Sequence, residues 1–460
     1  MAESWFMSYE TAVAQMYALG HELALTPSRK FDLAHMRVLL AALGHPEKSF
    51  ASVLVAGTNG KGSTAATLAS ILQAAGLKSA LYTSPHLVHI NERIRVKGES
   101  IRDGDFAMLH DVVDRTAERL VTEGDLPWHP SFFEMLTAIA FEYFARVRPD
   151  VAVLEVGMGG RLDATNVVEP RVSVITDIAL DHQKYLGNTI GEIACEKVGI
   201  IRPGGVVVTL PQLPDANDVI GNAILDQGAR AVNAVPYVPP VSPASTQYLV
   251  PSPHRNSPIS MLQQYPLDVL GERILVESPL VGRHQLRNIA LAIAAAEELH
   301  NQGFWQITPK SIECGIRETR WPGRFQVVPS DGNRPEYVLD VAHNPAGAWA
   351  LRSTLSTAYG ERPFTMVFGV LRDKAVAEIA EILFPIAEQV IVTHANNPRS
   401  ASVEEIWQAA SRVAGDIREA ADVASALAAA GKIAGRGGLV VVTGSIYIVG
   451  EAMQQLGVRL

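Results

Sequence analysis

Ser52-Val-Leu-Val-Ala-Gly-Thr-Asn-Gly-Lys-Gly-Ser-Thr-Ala-Ala-Thr-Leu-Ala-Ser-Ile-Leu72 runs a continuous apolar segment into a glycine-rich turn and then into a helical pattern. Residues 52–56 show no alternation of polar and apolar side chains, the signature of a parallel strand covered on both faces. A glycine-rich turn between such a strand and a helix aims several backbone N–H groups at one point. It adds the positive end of the helix dipole and supplies Lys61 as a point charge for β- and γ-phosphates. The spacing is not that of the general P-loop: its first glycine would fall at Val55, and Gly62 follows the lysine where Ser or Thr is expected. The turn therefore reads as a nucleotide cradle of a particular subtype.

Further apolar runs flank it at 79–83, 151–156, 172–176 and 206–209, each followed by a helical pattern, which predicts an α/β architecture. A second series at 337–340, 364–368, 389–393 and 439–443, separated by helical patterns such as 374–388 and 402–414, predicts a smaller α/β domain. Between the series lie an Ala-rich helix at about 285–302 and then Trp321-Pro-Gly-Arg324, whose Pro and Gly stop any continuing helix and mark a hinge. A chain of 460 residues also exceeds what one core ordinarily holds. The expected organisation is an N-terminal P-loop-type ATP-binding domain with a mainly parallel sheet over 1–321, and a smaller C-terminal Rossmann-like α/β domain over 322–460. The Pro/Ser-rich stretch 235–260 reads as an exposed loop or irregular hairpin inserted in the first domain, with no chemistry assigned.

The composition, 48% hydrophobic and 19% charged, is that of an ordinary globular protein. The net charge of −9 argues against a nucleic-acid partner, which would call for a basic face. Cys195 and Cys314 stand in no metal-ligand or disulfide pattern and are expected in the core. The segment 1–10 lacks a basic n-region and an apolar run, and no stretch reaches the ~18 apolar residues of a membrane span. A cytoplasmic protein with no membrane partner is expected.

Glu155 ends the run 151–156 and opens Glu155-Val-Gly-Met-Gly-Gly-Arg-Leu-Asp-Ala-Thr-Asn166. A carboxylate at the C-terminal end of a parallel strand faces the crevice where open α/β sheets bind ligands, and Glu155 is suited to Mg2+ beside phosphates. Asp177-Ile-Ala-Leu-Asp-His182 and Glu196-Lys-Val-Gly-Ile200 follow. Thr83-Ser-Pro-His86, Asn91-Glu-Arg-Ile94, Gly282-Arg-His-Gln-Leu-Arg-Asn288, Pro322-Gly-Arg324 and Asp340-Val-Ala-His-Asn-Pro345 complete an ordered set. With Gly57-Thr-Asn-Gly-Lys-Gly-Ser63, this set resembles the folylpolyglutamate synthase and dihydrofolate synthase branch of the Mur ligase superfamily, from about residue 30 to 450.

The resemblance implies that Thr58, Asn59, Gly60, Lys61, Gly62 and Ser63 cradle ATP, that Ser84 and Glu155 ligate one Mg2+, and that His182 ligates a second. It implies a carbamylated Lys197, which turns an ammonium repelled by Mg2+ into an acceptor-only anion. It also places Asn288 at the adenine, Arg324 at the phosphates, and Asp340 with His343 on the ribose and phosphate side. Catalysis would rest on Lys61, His182, Lys197 and His343. Thr443-Gly-Ser-Ile-Tyr-Ile-Val-Gly450 and Phe368-Gly-Val-Leu-Arg-Asp-Lys374 also resemble family segments, with Ser445 and Tyr447 as candidates to hold the incoming glutamate. The sequence departs from the family at 235–260 and at Phe31-Asp-Leu-Ala-His-Met36, in the place of the pterin-side loop.

The implied activity is ATP-dependent addition of L-glutamate to dihydropteroate, to the γ-carboxylate of folates, or to both, through an acyl phosphate, by a monomer that releases ADP and phosphate. Three other readings stand beside it. One is a folylpolyglutamate synthase only. A second is a peptidoglycan-precursor ligase, which the Thr-Ser-Pro-His and Asp-Ala-Thr-Asn wording disfavours. The third is a nucleotide-dependent switch, which has no need of the Asp340–Pro345 segment.

Overall fold

The computed structural model describes residues 7–20, 33–240, 249–251, 261–410, 412–413 and 417–458. They form two compact units. The first comprises the described residues of Met1–Ile178, Leu186–Pro236 and Ala290–Gly315; the second, those of Ala179–Tyr185, Tyr237–Ile289 and Ile316–Leu460.

The described residues open with α1 (Tyr9–Ala18), α2 (Leu33–Ala42), β1 (Ala51–Ala56), α3 (Lys61–Ala74), β2 (Ser79–Tyr82), β3 (Ile94–Val96) and β4 (Glu99–Ser100). It continues with α4 (Asp103–Glu123), α5 (Phe132–Val147), β5 (Val151–Glu155), β6 (Val172–Ile175), α6 (Gln183–Leu186), α7 (Ile190–Lys197), β7 (Val206–Thr209), α8 (Pro214–Asp226) and β8 (Arg230–Asn233). The eight strands form one sheet in the order β4-β3-β2-β5-β1-β6-β7-β8. From β2 to β8 all neighbours are parallel, while β3 and β4 add an antiparallel edge. Val53, Leu54 and Val55 of the central strand are wholly buried, as a strand covered on both faces must be. Because β5, β1 and β6 are adjacent and parallel, the segments that follow them, 156–163, 57–63 and 176–178, leave the same edge of the sheet. That edge is where open α/β sheets bind ligands.

Next come β9 (Leu249–Pro251), β10 (Met261–Val269) and β11 (Glu272–Ser278), an antiparallel sheet in the order β11-β10-β9. Leu270 and Gly271, at φ 50° and 79°, make the two-residue turn of its hairpin. In the stretch read from sequence as a loop, 241–248 and 252–260 lie outside the described residues, and 249–251 is a strand. The described residues of 237–289 pack with the second unit rather than the first, which makes the units discontinuous where a single boundary at 321 was expected.

After α9 (Arg283–Asn301) and α10 (Pro309–Arg317) the second unit builds β12 (Gln326–Val328), β13 (Glu336–Leu339), α11 (Pro345–Tyr359), β14 (Thr365–Phe368), α12 (Val376–Leu383) and β15 (Gln389–Val392). It ends with α13 (Val403–Ala409), β16 (Ile417–Glu419), α14 (Val423–Ala434), β17 (Leu439–Thr443) and α15 (Ile446–Leu456). Its sheet runs β12-β13-β17-β14-β15-β16, parallel except for β12. Val338, Met366, Phe368 and Val441 pack with Leu351, Ile379 and Leu383 in its core. The helix expected at 374–388 is shorter, because Pro385 enters a tighter turn over Phe384–Ile386. Cys195 is exposed and Cys314 half-buried, so neither is the core residue expected of it. No helix among the described residues is long and apolar enough to cross a membrane.

Candidate active site

The phosphate loop is held by the exit of β6. Thr58 and Asn59 donate their backbone N–H groups to the Asp177 carbonyl at 2.8 and 3.1 Å. Gly57 lies so close to that strand that a Cβ would stand 1.8 Å from Thr176 Oγ1. Gly60 caps α3 from the left-handed region at φ 90°. Lys61 Nζ turns back and donates to the carbonyls of Gly57 and Thr58, both at 3.1 Å. The amides of Thr58 and Asn59 thus shape the loop. Those of Lys61, Gly62 and Ser63 open a helix, where N–H groups have no partner within the helix and the dipole favours an anion.

Lys197 ends α7 and is 3% exposed; its Nζ donates to the Gly57 carbonyl at 2.7 Å, so two lysines meet at one oxygen. Its approach depends on Gly160, where a Cβ would stand 2.9 Å from the carbonyls of both Glu196 and Lys197. Asp163 shapes that glycine turn: it accepts from the Thr165 hydroxyl at 2.6 Å and from the amides of Met158 and Thr165 at 3.0 Å. Burial pushes the Asp163 carboxyl up, against the pull of these bonds.

Glu155 closes β5 at 5% exposure, and its Oε2 accepts the Ser84 amide at 3.2 Å. Ser84 precedes a cis peptide to Pro85. The following loop is gripped by Glu92, whose carboxylate accepts the amides of Leu87, Val88 and His89 at 2.9, 2.8 and 2.6 Å. Arg93 Nε donates to His86 Nδ1 at 2.8 Å, and His86 Nε2 lies 3.1 Å from the Tyr17 hydroxyl. The Glu155 carboxylate and Ser84 hydroxyl are hard oxygen donors on neighbouring strand ends. Mg2+ takes few protein ligands and completes its shell with phosphate oxygens and water, so the pair fits that ion. No group of three or more His, Cys, Asp or Glu side chains suited to a metal occurs among the described residues.

In the second unit Asp340 follows β13; its carboxylate accepts the amides of Phe325 and Ala342 at 2.8 and 2.9 Å. Burial pushes its carboxyl up, with the Arg324 guanidinium opposing. His343 Nδ1 donates to the Val341 carbonyl at 2.9 Å. Asn288 is buried and donates to Gln285 at 2.8 Å. Ser445 caps α15 by accepting the Ile448 amide at 3.2 Å, with Tyr447 half-buried in the first helical turn. Gly444, which precedes it, would carry a Cβ 2.4 Å from the Gly369 carbonyl, so the exits of β17 and β14 touch backbone to backbone.

His182, at φ 51°, belongs to the 179–185 segment of this unit. Its neighbour Asp181 gathers Lys374 Nζ at 2.6 Å, Asn344 Nδ2 at 3.3 Å and His343 Nε2 at 3.5 Å. Burial raises the Asp181 carboxyl, but His343 and Lys374 outweigh it and hold the group well below the usual carboxylate range. Asp181 and Lys374 both lie inside motifs that assign neither side chain a role. A lysine just past the end of β14 was the available signal. Of the expected residues, Thr58–Ser63 and Lys197 come together at the loop and Ser84 joins Glu155; in the second unit, Asp340 lies beside Arg324.

A family model described as the Mur ligase glutamate ligase domain matches residues 323–446. The chain is also 36% identical to the folylpolyglutamate synthase of Lacticaseibacillus casei over 378 residues, covering 82% of this chain and 83% of that protein. It belongs to the folylpolyglutamate synthase family. Another member of that family, the dihydrofolate synthase/folylpolyglutamate synthase of Bacillus subtilis, is 34% identical over 93% of this chain and 95% of its own length. The solved Mycobacterium tuberculosis folylpolyglutamate synthase complexed with ADP superposes with a TM-score of 0.83 at 31% identity, covering 98% of this chain and 99% of that one. As a member of the folylpolyglutamate synthase family, this chain is an ATP-dependent amide-bond ligase, and the expected α/β class with a parallel-sheet ATPase unit stands.

Proposed function

We propose that the enzyme joins L-glutamate to the carboxylate of dihydropteroate, to the γ-carboxylate of a folate, or to both, using ATP as phosphoryl donor. The observation that carries the reading is the loop in which Lys61 and Lys197 converge on the Gly57 carbonyl, in a chain whose matched relatives bear both synthase names. An oxygen of the acceptor carboxylate attacks the γ-phosphorus and ADP departs. The free amine of glutamate adds to the acyl carbon, and the tetrahedral intermediate expels phosphate to leave the amide. No protein nucleophile is needed, so catalysis is positioning and charge stabilisation.

Lys61 and the first-turn amides of α3 offset charge on the transferring phosphoryl group, with Thr58 and Asn59 forming the cradle wall. Ser84 and Glu155 would hold one Mg2+ and His182 a second; when bound, the ions offset phosphate charge. In the second unit Asn288 is assigned to the adenine, Arg324, Asp340 and His343 to the ribose and phosphates, and Ser445 with Tyr447 to glutamate. The glutamate-adding half of the chemistry is thereby assigned to the domain 322–460, which contains the matched 323–446.

Carbamylation fits Lys197, because a carbamylated Nζ keeps one N–H to donate to the Gly57 carbonyl while its carboxylate adds an anion. Labelling with 13C-bicarbonate should give a carbamate carbon signal that Lys197→Ala lacks; an identical spectrum from both proteins removes the modification. ATP and L-glutamate are cytoplasmic solutes, and we place the enzyme there as a monomer.

The acceptor is decided by offering MgATP and L-glutamate with either dihydropteroate or tetrahydrofolate and weighing the products. Addition to both supports the bifunctional reading. Addition to tetrahydrofolate alone restricts the enzyme to polyglutamylation, the single activity named for the Lacticaseibacillus casei relative. Addition to neither removes the proposal.

A further inference from the structure

Among the groups left without a role by the proposed function, the Asp181 carboxylate is buried and has four polar neighbours. Its Oδ1 accepts from Lys374 Nζ at 2.6 Å and from the His182 amide at 2.8 Å. Its Oδ2 faces Asn344 Nδ2 at 3.3 Å and His343 Nε2 at 3.5 Å. The Asp181 and Lys374 side chains are only 8% and 6% exposed. A buried charge is tolerated when paired and costly when its partner is removed, so neither side chain keeps this place without the other.

Each partner is oriented by a second bond. Asn344 Oδ1 accepts the Gly347 amide at 2.8 Å, which turns the Nδ2 end toward Asp181. The His343 ring gives Nδ1–H to the Val341 carbonyl at 2.9 Å, which turns Nε2 the same way. Lys374 lies between β14 and α12, whereas His343 and Asn344 lie between β13 and α11. In the sheet those two strands flank β17, whose exit carries Ser445. One carboxylate therefore ties together the two loops on either side of the β17 exit, at the C-terminal edge of the second sheet.

We infer that Asp181 is a positioning residue that acts through His343 and Lys374, fixing the loops around the β17 exit for phosphoryl transfer and amide formation. The inference rests on the function proposed above. An amide at position 181 keeps the shape but loses the charge, and it can present an acceptor oxygen to only one of the two loops.

The test compares wild type, Asp181→Asn, Lys374→Met and the double variant for ADP release at saturating glutamate and acceptor. Calorimetric ADP binding and thermal midpoints are measured alongside. Each single variant is expected to lose kcat on the order of 10²-fold, the scale of a misplaced reacting group, while ADP affinity falls by a smaller factor. The double variant should be no worse than either single one, because the pair acts as a unit. A folded Asp181→Asn enzyme with wild-type kcat, or losses that multiply in the double variant, overturns the inference. Should Asp181→Asn fail to fold, Lys374→Met puts the same question from the other side of the pair. Wild type that acts on no acceptor removes the functional reading and the inference together; active wild type with unimpaired variants removes the inference alone.

Discussion

At Gly57 a methyl group would collide with Thr176 Oγ1, so Gly57→Ala must displace either the phosphate loop or the exit of β6. Overpacking of that kind costs roughly 1–3 kcal/mol. Calorimetry should show ADP binding weakened about tenfold or more, on the same scale. Lys61→Ala keeps the loop but removes its charge. A kcat loss on the order of 10²–10³-fold, about 2.7–4 kcal/mol, is expected in ADP-release assays, and near-normal turnover would remove its role. His110, on α4, is wholly buried, and neither ring nitrogen has a hydrogen-bond partner among the described residues. Burial pushes its pKa down, with Asp114 and Asp111 opposing and His129 adding to the fall. The unfolded chain then binds the extra proton, so this contribution to stability is complete above the ordinary histidine value of about 6.5 and shrinks as pH falls below it. His129, bonded to Asp114 and raised by it, contributes the opposite slope. The thermal midpoint of His110→Leu should exceed wild type most at pH 5.5, with the gap narrowing toward pH 8; a constant gap would contradict this. The strand- and helix-end positions of Lys61, Glu155 and Lys197 were legible in the sequence because each lies in or beside a short motif. The Asp181–Lys374 pair joins residues 193 positions apart, and no local pattern announces such a contact.

The loop 84–89 illustrates how an element is held by a residue whose motif the sequence displayed without its purpose. Asn91-Glu-Arg-Ile94 was recognisable, yet only the structure shows Glu92 collecting three successive amides and Arg93 orienting His86. Hydrogen bonds to a charged acceptor contribute about 1.5–3 kcal/mol each, more than bonds to a neutral one. Glu92→Gln should therefore speed amide hydrogen exchange at Leu87, Val88 and His89 while leaving β5 protected; unchanged exchange at those amides would show that the grip is weak. The continuously apolar strands β1, β5, β6, β14 and β17 were legible because burial on both faces erases alternation. The β10–β11 hairpin was not: its side chains alternate because one face is wet, but Pro266 inside β10 demotes that run as a strand.

At the scale of the molecule, the discontinuous composition of the two units explains why a boundary drawn at 321 captured the second sheet but not the hairpin sheet or the 179–185 segment. Contacts made in three dimensions assign those pieces, and composition along the chain does not. The turn proposed to hold ATP was legible as a strand, a turn and a helix; the residues proposed for the glutamate-adding half lie in family motifs spread over separate strand exits. Joining the halves is the central claim, and it has a direct atomic signature. An acceptor with 18O in its reacting carboxylate is incubated with MgATP and L-glutamate, and the released phosphate is weighed. Attack of the carboxylate on the γ-phosphorus followed by expulsion of phosphate should place one 18O in each phosphate and yield ADP. Glutamylated product formed with unlabelled phosphate, or with AMP in place of ADP, would contradict the acyl phosphate route.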